Sequence, residues 1–169
     1  MIKELDGGPI FAKERFTINF DETNSSLSKK LSIIGANQLL NVVNNIEFIS
    51  ETPQESEGVT YAFKIHKSET RINWNLPGKI VDRFIRGLSE KPGAWSMMNG
   101  SRVKILKSKY VKLGGEIGHN IISSENKASL LIACSEDSVE VEIIQKEGKK
   151  PVSASEFISG YKGKNICFE

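Results

Sequence analysis

A single carboxylate near the start of the sequence is the first place where chemistry could be done. Asp6 precedes the run Gly7-Gly8-Pro9, in which the glycines can take positive φ angles and the proline fixes its own. Such a run is typical of a turn in which the aspartate accepts backbone hydrogen bonds. No sequence upstream of Asp6 could complete an active site around it. His66 and His119 fall in segments typical of surface or loop residues.

The other side chains that could do chemistry are basic and lie mainly in the later part of the chain. Residues 1 to 58 carry 5 Lys/Arg and 9 Asp/Glu, whereas residues 59 to 169 carry 18 and 12. Because neutralising phosphates releases counterions, a basic domain with interleaved aromatic residues is a candidate for contact with a polyanion. A solvated, lysine-rich surface is the alternative interpretation. The candidate phosphate contacts are Lys64, Lys67, Arg71, Arg102, Lys104, Lys107, Lys109, Lys149 and Lys150.

Four of these cations lie in one predicted strand, and its pleat decides whether they can share a surface. Strict alternation would put Arg102 and Lys104 on the face opposite Lys107 and Lys109. A bulge near Leu106 would change that, because one extra residue reverses the alternation beyond it.

The tryptophans and cysteines are expected to be structural. Trp74 and Trp95 could stack on unpaired bases, but each sits between apolar positions, so we predict that both pack in the core. Cys134 lies in an apolar run and is predicted to be a buried thiol, whereas Cys167 falls in a predicted tail. Their spacing indicates neither a zinc site nor a disulfide framework.

Composition excludes several further classes of protein. The chain has 169 residues, of which 38% are hydrophobic, and no apolar run approaches the roughly 20 residues that span a bilayer. It begins with no signal-peptide pattern, and we therefore expect a cytoplasmic protein. Gly114-Gly115 is too short for a phosphate-cradling loop, and no metal-ligating cluster is visible in the sequence.

The first part of the chain predicts a strand and a helix that cannot fold alone. Residues 11 to 20 alternate well enough for a strand, and a polar cluster over residues 21 to 26 offers caps for the helix that follows. A strand and one helix bury too little surface to be stable, so this part must dock on something else. Residues 50 to 58 are polar and read as a linker. The apolar stripe of the helix consists of Leu27, Leu31, Ile34, Leu39, Val42, Val43 and Ile46.

The second part predicts a helix followed by short strands. The helix is expected to begin after a cap at Asn75 and to end near Gly87. Asn99-Gly100 predicts a hairpin between two strand-like runs, and Ser153 with Glu156 predicts a capping box that opens a last helix. About five short strands in this length favour a closed or nearly closed barrel. The predicted strands are residues 72–74, 95–98, 102–111, 116–122, 129–134 and 139–144.

Several short motifs occur in an order that points to one family. In the first part they are Asp6-Gly7-Gly8-Pro9-Ile10, Asp21-Glu22-Thr23, Ser26-Leu27, Lys30-Leu31, Gly35-Ala36 and Leu39-Leu40. In the second they are Thr60-Tyr61-Ala62, Lys64-Ile65, Ile72-Asn73-Trp74, Ile85-Arg86, Pro92-Gly93-Ala94-Trp95, Gln145, Gly148-Lys149-Lys150, Ser153-Ala154 and Phe157. Through these motifs the chain resembles the methionyl-tRNA formyltransferase family over nearly its whole length.

The resemblance implies a mixed α+β fold. Residues 1–49 would be the strand-helix remnant of a doubly wound formyltransferase domain, and residues 50–58 a linker. Residues 59–169 would form a small OB-like β-barrel domain with flanking helices, which contacts tRNA. Oligomeric state stays open, although an uncovered helix face predicts dimerisation or fraying.

The resemblance also implies a reaction: transfer of a formyl group from 10-formyltetrahydrofolate to the amino group of methionyl initiator tRNA, without a metal. The family uses an Asn, a His and an Asp, and only the Asp has a counterpart here, at Asp6. Lys3 and Glu4, with Asp6, would lie beside the folate. The chain alone is therefore expected to be inactive without the N-terminal formyltransferase domain as its partner.

Two other functions remain open. A sugar-nucleotide formyltransferase shares the donor and the catalytic trio but uses an amino sugar as acceptor. The basic second part and the run Gly148-Lys149-Lys150 favour the tRNA enzyme. A free-standing RNA-binding module without catalysis is the remaining alternative.

Overall fold

In the computed structural model the chain divides into two units, and residues 6–121, 129–161 and 166–169 are described. The first unit consists of Met1–Glu22 and Ser26–Lys64, and the second of Thr23–Ser25 and Ile65–Glu169. Residues 50–58, which we predict to be a linker, lie within the first unit. The predicted assignment of separate domains stays a prediction.

The main element of the first unit is helix α1, which spans Asn24–Asn44 and whose first two residues are assigned to the second unit. This confirms the helix predicted from the apolar spacing. The carboxylate of Glu22 accepts hydrogen bonds from Lys30 and Ser26, so it ties the residues before the helix to its first two turns. The bond from Lys30, followed by that from Ser26, lowers the pKa of the Glu22 carboxyl.

The strand predicted over residues 11–20 does not form, so that prediction is wrong. The only pairing in the described part of this unit is a bridge between Ile10 and Thr52, which exchange N–H···O bonds of 2.8 and 2.9 Å. An alternating sequence becomes a strand only where a neighbour accepts its backbone groups. Between residues 11 and 20 the described first unit offers no such neighbour.

Apolar side chains of the first unit remain exposed within the described part of the chain. No residue of α1 is buried, and Leu39 keeps 64% of its surface accessible. Outside the helix, Phe20, Phe48 and Phe63 are each at least 85% exposed. The expectation that this unit lacks a cover for its apolar face is therefore confirmed for the described residues.

The second unit is built on an antiparallel sheet in the order β1-β2-β5-β4-β3, with β6 paired to β5. Its strands are β1 Ala94–Met98, β2 Ser101–Val111, β3 Asn120–Ile121, β4 Leu130–Ala133, β5 Ser138–Lys146 and β6 Val152–Ser153. The predicted hairpin is confirmed: Asn99 and Gly100 both have positive φ, 46° and 77°, as a two-residue hairpin turn requires.

Three other strands of the second unit differ from the predicted ones. β3 is shorter than the run predicted over residues 116–122, whose last residue lies outside the described part of the chain. β6 was not predicted, because two residues carry no periodicity. The strand predicted over residues 72–74 does not form, although the Ile72 N–H donates to the Trp95 carbonyl at 2.8 Å.

The segment of residues 166–169 joins the two edges of the sheet. Phe168 bridges to Met98, the last residue of β1, and Cys167 bridges to His119, just before β3. The Phe168 N–H donates to the Gly118 carbonyl at 2.8 Å. Cys167 is therefore part of the sheet closure rather than of a tail, which corrects the prediction. The curled sheet and the helices confirm the mixed α+β fold class.

Two helices of the second unit cover the sheet. Helix α2 spans Gly78–Leu88 and buries Val81, Ile85 and Leu88 in the core. It ends next to Gly87, as predicted, but its N-cap is Pro77 rather than the predicted Asn75. Helix α3 spans Ala154–Gly160. Its predicted capping box is confirmed: the Glu156 N–H donates to Ser153 Oγ at 3.2 Å, and the Ser153 N–H donates to the Glu156 carboxylate at 2.9 Å. Among the described helices, none has the length and apolarity needed to cross a bilayer.

The sheet closure should depend on a glycine at position 118. Gly118 has a φ of +77°, and a Cβ there would lie 2.3 Å from the carbonyl oxygen of Phe168. We predict that Gly118→Ala lowers the free energy of unfolding through strained φ and backbone overlap, by roughly 1–3 kcal/mol beyond the φ cost. Urea denaturation measures this quantity.

Gly100→Ala is the matched control, because Gly100 has the same φ of +77° with open space around it. It should cost only the φ strain, about 1 kcal/mol. Equal losses in the two variants would mean that the contact between Gly118 and Phe168 does not hold the sheet closed.

Candidate functional site

Asp6 lies in the turn that its sequence predicts. Its φ is 56° and it is exposed. The Gln54 side-chain amide donates to the carbonyl oxygens of Asp6 and Gly8, both at 2.7 Å, so the turn is held from the opposite side. Lys3 and Glu4, the other predicted folate contacts, lie outside the described residues. Their placement beside a folate stays a prediction.

A bulge in β2 brings four of the predicted phosphate contacts onto one face. The pairing of β2 with β5 shifts register on both sides of Lys107, next to Leu106. Val103 and Ile105 point inward before the bulge and Ser108 points inward after it. The alternation therefore reverses, as predicted for a bulge near Leu106. The outward residues are Arg102, Lys104, Lys107 and Lys109.

These four cations differ in whether their side chains already form an ion pair or hydrogen bond within the protein. Lys107 Nζ lies 2.7 Å from a carboxylate oxygen of Glu142, and Lys104 Nζ donates to the Pro92 carbonyl at 2.8 Å. Within the described ranges, Arg102 and Lys109 enter no ion pair. These two are the cations of β2 most available to an external anion.

Trp95 lies on the outer side of the sheet, so the prediction that it packs in the core is wrong. Its ring is partly exposed, with the guanidinium carbons of Arg102 and Arg71 at 4.2 and 5.5 Å from the ring centroid. Its Nε1–H donates to the Lys67 carbonyl at 3.1 Å. In β1 the residues at alternate positions, beginning with Ala94, are buried, and Trp95 takes the opposite phase. The run Ala94–Met98 contains no apolar alternation that would have set this phase, so no signal in the sequence indicated an outward Trp95.

Trp74, by contrast, is a core residue, as predicted. It is 3% exposed, and its Nε1–H donates to Ser96 Oγ at 2.9 Å. Its ring meets the Phe168 ring edge to face, with 5.6 Å between centroids. The indole nitrogen therefore has an acceptor inside the core, which makes burial of this polar group tolerable.

A groove of about 470 Å³ opens beside Arg102, next to the 3₁₀ turn Lys67–Thr70 and the turn that follows β5. Its walls carry four cationic side chains and one carboxylate. Lys146 was not among the predicted contacts, although it stands opposite Val103 in the register of β2 and β5. The lining residues are Lys67, Thr70, Pro92, Arg102, Val103, Lys104, Gln145, Lys146, Glu147 and Gly148.

The remaining predicted contacts lie elsewhere. Lys149 and Lys150 are exposed just beyond the groove lining, and Lys64 is exposed in the first unit. His66 is exposed and His119 partly so, as expected for surface or loop residues. The described ranges contain no cluster of three or more His, Cys, Asp or Glu side chains that could hold a metal ion.

Comparison with known proteins identifies the family. Residues 64–162 match the family described as formyl transferase, C-terminal domain, and the chain belongs to that family. The matched range coincides closely with the continuous part of the second unit, Ile65–Glu169. The groove, the bulge and the sheet closure therefore lie within the family's domain or directly beside its end.

The curated relatives that the chain matches are methionyl-tRNA formyltransferases. The methionyl-tRNA formyltransferase of Paracoccus denitrificans is 42% identical over 156 residues, which are 92% of this chain and 50% of that protein. The methionyl-tRNA formyltransferase of Parvibaculum lavamentivorans is 40% identical over 167 residues, covering 95% and 53%. The chain thus spans about half the length of the curated relatives that it matches.

Solved structures with a similar fold include HypX from Aquifex aeolicus. A multiply substituted variant of HypX superposes with a TM-score of 0.72 at 19% identity, covering 94% of this chain and 29% of that chain. HypX in complex with tetrahydrofolic acid gives a TM-score of 0.69 at 19% identity, covering 99% and 32%. At this identity the likeness concerns the fold alone.

The different positions of the two tryptophans predict different costs of replacement. Trp74→Phe removes a buried hydrogen bond and leaves a small cavity, so we expect the free energy of unfolding to fall by about 2 kcal/mol. Trp95→Phe changes a partly exposed ring and should cost less than about 1 kcal/mol. Denaturation of both variants under one set of conditions tests the assignment, and the reverse order of costs would contradict it.

Proposed function

We propose that this chain is part of a methionyl-tRNA formyltransferase and contributes the tRNA-contacting half of that enzyme. The enzyme would transfer a formyl group from a folate donor to the methionyl amino group of initiator tRNA in translation initiation, in the cytoplasm. The observation that carries the proposal is the 42% identity to a methionyl-tRNA formyltransferase over 92% of the chain. The four cations that β2 presents on one outer face support the proposal.

The first unit would contribute Asp6 to the reaction. In the resembled family an aspartate orients the catalytic histidine or a bridging water, and Asp6 stands in the matching motif. The described residues around Asp6 form an exposed turn rather than a pocket for a pterin. No catalytic step follows from this geometry alone. The 169-residue chain is accordingly proposed to be inactive by itself, with the family's Asn and His supplied by an N-terminal formyltransferase domain.

The second unit would hold the RNA as an OB-like domain. Arg102 and Lys109 project from the outer face of β2 without a carboxylate partner in the described part of the chain, and Lys149 and Lys150 are exposed nearby in sequence to β5. Cations that are not already neutralised by the protein can release counterions from a phosphate backbone. Arg71 and Lys67 extend this set beyond the sheet, and Lys64 belongs to it from the first unit.

A formylation assay tests the enzymatic part of the proposal. We predict that the chain mixed with 10-formyltetrahydrofolate and methionyl-tRNA gives no turnover above background, because two of the three catalytic groups are absent from it. The Paracoccus denitrificans relative serves as the positive control. An amino-sugar nucleotide as a second acceptor separates the tRNA enzyme from a sugar-nucleotide formyltransferase when the longer protein is assayed. Turnover by the chain alone would refute the prediction.

A salt titration tests the RNA contact. We predict that tRNA affinity falls steeply as salt rises, and that Lys109→Gln reduces the slope of log K against log salt by about one unit. Lys29→Gln removes an equal charge from the exposed surface of α1 and is the matched control, for which the slope should not change. A flat salt response of the unmodified chain would overturn the proposed contact. Binding with normal salt dependence, together with a longer protein that transfers no formyl group, would instead favour a free-standing RNA-binding module.

A further inference from the structure

We infer that the groove beside Arg102 is a subsite for one RNA phosphodiester, and that Arg102, held against the Trp95 ring, is the residue that recognises the phosphate. This inference rests on the proposed RNA contact. Beyond that contact, it identifies the cation that binds the phosphate, the reason for an arginine at that position, and the neighbouring residue that lowers the affinity.

The Trp95 ring fixes the Arg102 guanidinium in place before any ligand arrives. The guanidinium carbon lies 4.2 Å from the ring centroid, within the range of a cation–π contact. The indole is itself held, because its Nε1–H donates to the Lys67 carbonyl at 3.1 Å. A planar donor fork that is already oriented loses less conformational entropy when it binds an anion.

Among the residues that the structure describes, none accepts a hydrogen bond from that guanidinium. Arg102 Nε is buried and has no hydrogen-bond partner among the described residues. A buried donor without an acceptor is rare in folded proteins and costs free energy. The contact with the Trp95 ring rather than hydrogen bonding therefore sets the position of Arg102, and the outward edge of its fork stays available to phosphate oxygens.

The groove has the size and charge that a phosphodiester needs. Its volume of about 470 Å³ falls among those typical of small-ligand sites. Lys67, Lys104 and Lys146 line it together with Arg102. Arg102 and Lys104 lie on β2, Lys67 on the 3₁₀ turn and Lys146 on β5. Lys104 already donates to the Pro92 carbonyl, but an ammonium group has three donors, so two remain.

The environment of Trp95 favours a phosphate over a base as the recognised group. Both Arg102 and Arg71 lie against its ring, at 4.2 and 5.5 Å from the centroid. A ring already engaged by two guanidinium groups is a poor platform for an unpaired base. The subsite should therefore position the RNA backbone without reading its sequence.

Glu147 is the one carboxylate in the groove lining. Its negative charge would repel an anion bound there. Glu147 is exposed and enters no ion pair in the described part of the chain. Its charge should weaken phosphate binding rather than be neutralised by a neighbour. Removing this charge should therefore strengthen RNA binding, which is a result that misfolding cannot mimic.

The test is equilibrium binding of the complete chain to tRNA at several salt concentrations. Arg102→Lys keeps the charge but loses the flat fork, so affinity should fall about tenfold while the salt slope stays the same. Arg83→Lys, the same exchange at an exposed position of α2, is the matched control and should bind like the unmodified chain. Circular dichroism confirms that each variant is folded.

Glu147→Gln is the second variant and should raise affinity about threefold. Added inorganic phosphate distinguishes a site for any phosphate from one that needs the RNA chain. Competition by millimolar phosphate would indicate a site for any phosphate, and no competition would indicate a site that needs the RNA chain. Arg102 is the recognising residue in either case. If Arg102→Lys and Glu147→Gln both bind like the unmodified chain, the subsite is refuted while the RNA contact stands. If the unmodified chain does not bind tRNA, the proposed RNA contact itself fails.

Discussion

The extra residue in β2 is the constraint on which both the interior and the outer surface of the second unit depend. Before the bulge Val103 and Ile105 face the core, and after it Ser108 does. Buried Ser108 Oγ donates to the Asp82 carboxylate of α2 at 2.8 Å, and Arg86 donates to the same carboxylate at 2.8 Å. A regular strand would turn the later cations inward, where an unpaired charge is costly. The bulge in β2 thus places Ser108 where it can bind helix α2, and it also keeps the cations of β2 on the outer face.

The two units differ in what holds them together. The second has a continuous core in which Ile105, Ile132 and Ile144 are fully buried, whereas the only buried residue in the described first unit is Glu22. The family match begins at residue 64, close to the start of the main stretch of the second unit. A unit whose apolar side chains stay exposed gains little hydrophobic stabilisation, so its order must come from local bonds such as those to Glu22.

Features with a local cause could be predicted from the sequence. The Asn99-Gly100 turn and the capping box at Ser153 depend on a few adjacent residues, and both are confirmed. The strand expected over residues 11–20 failed because pairing requires a distant partner that periodicity does not reveal. The outward position of Trp95 could not be predicted, because the run Ala94–Met98 has no apolar alternation that sets the phase of the strand. Lys146 became part of the groove through cross-strand register, which no spacing within a single strand encodes.

The short segment of residues 166–169 has a consequence for how this molecule behaves towards its own copies. Free sheet edges present unpaired N–H and C=O groups on which another chain can add a strand, the route by which β proteins assemble into oligomers and fibrils. By bridging to Met98 on one side and His119 on the other, the segment shields both margins with only four residues. A proteolytic cut just before it would uncover both margins in one event and leave a sheet able to polymerise.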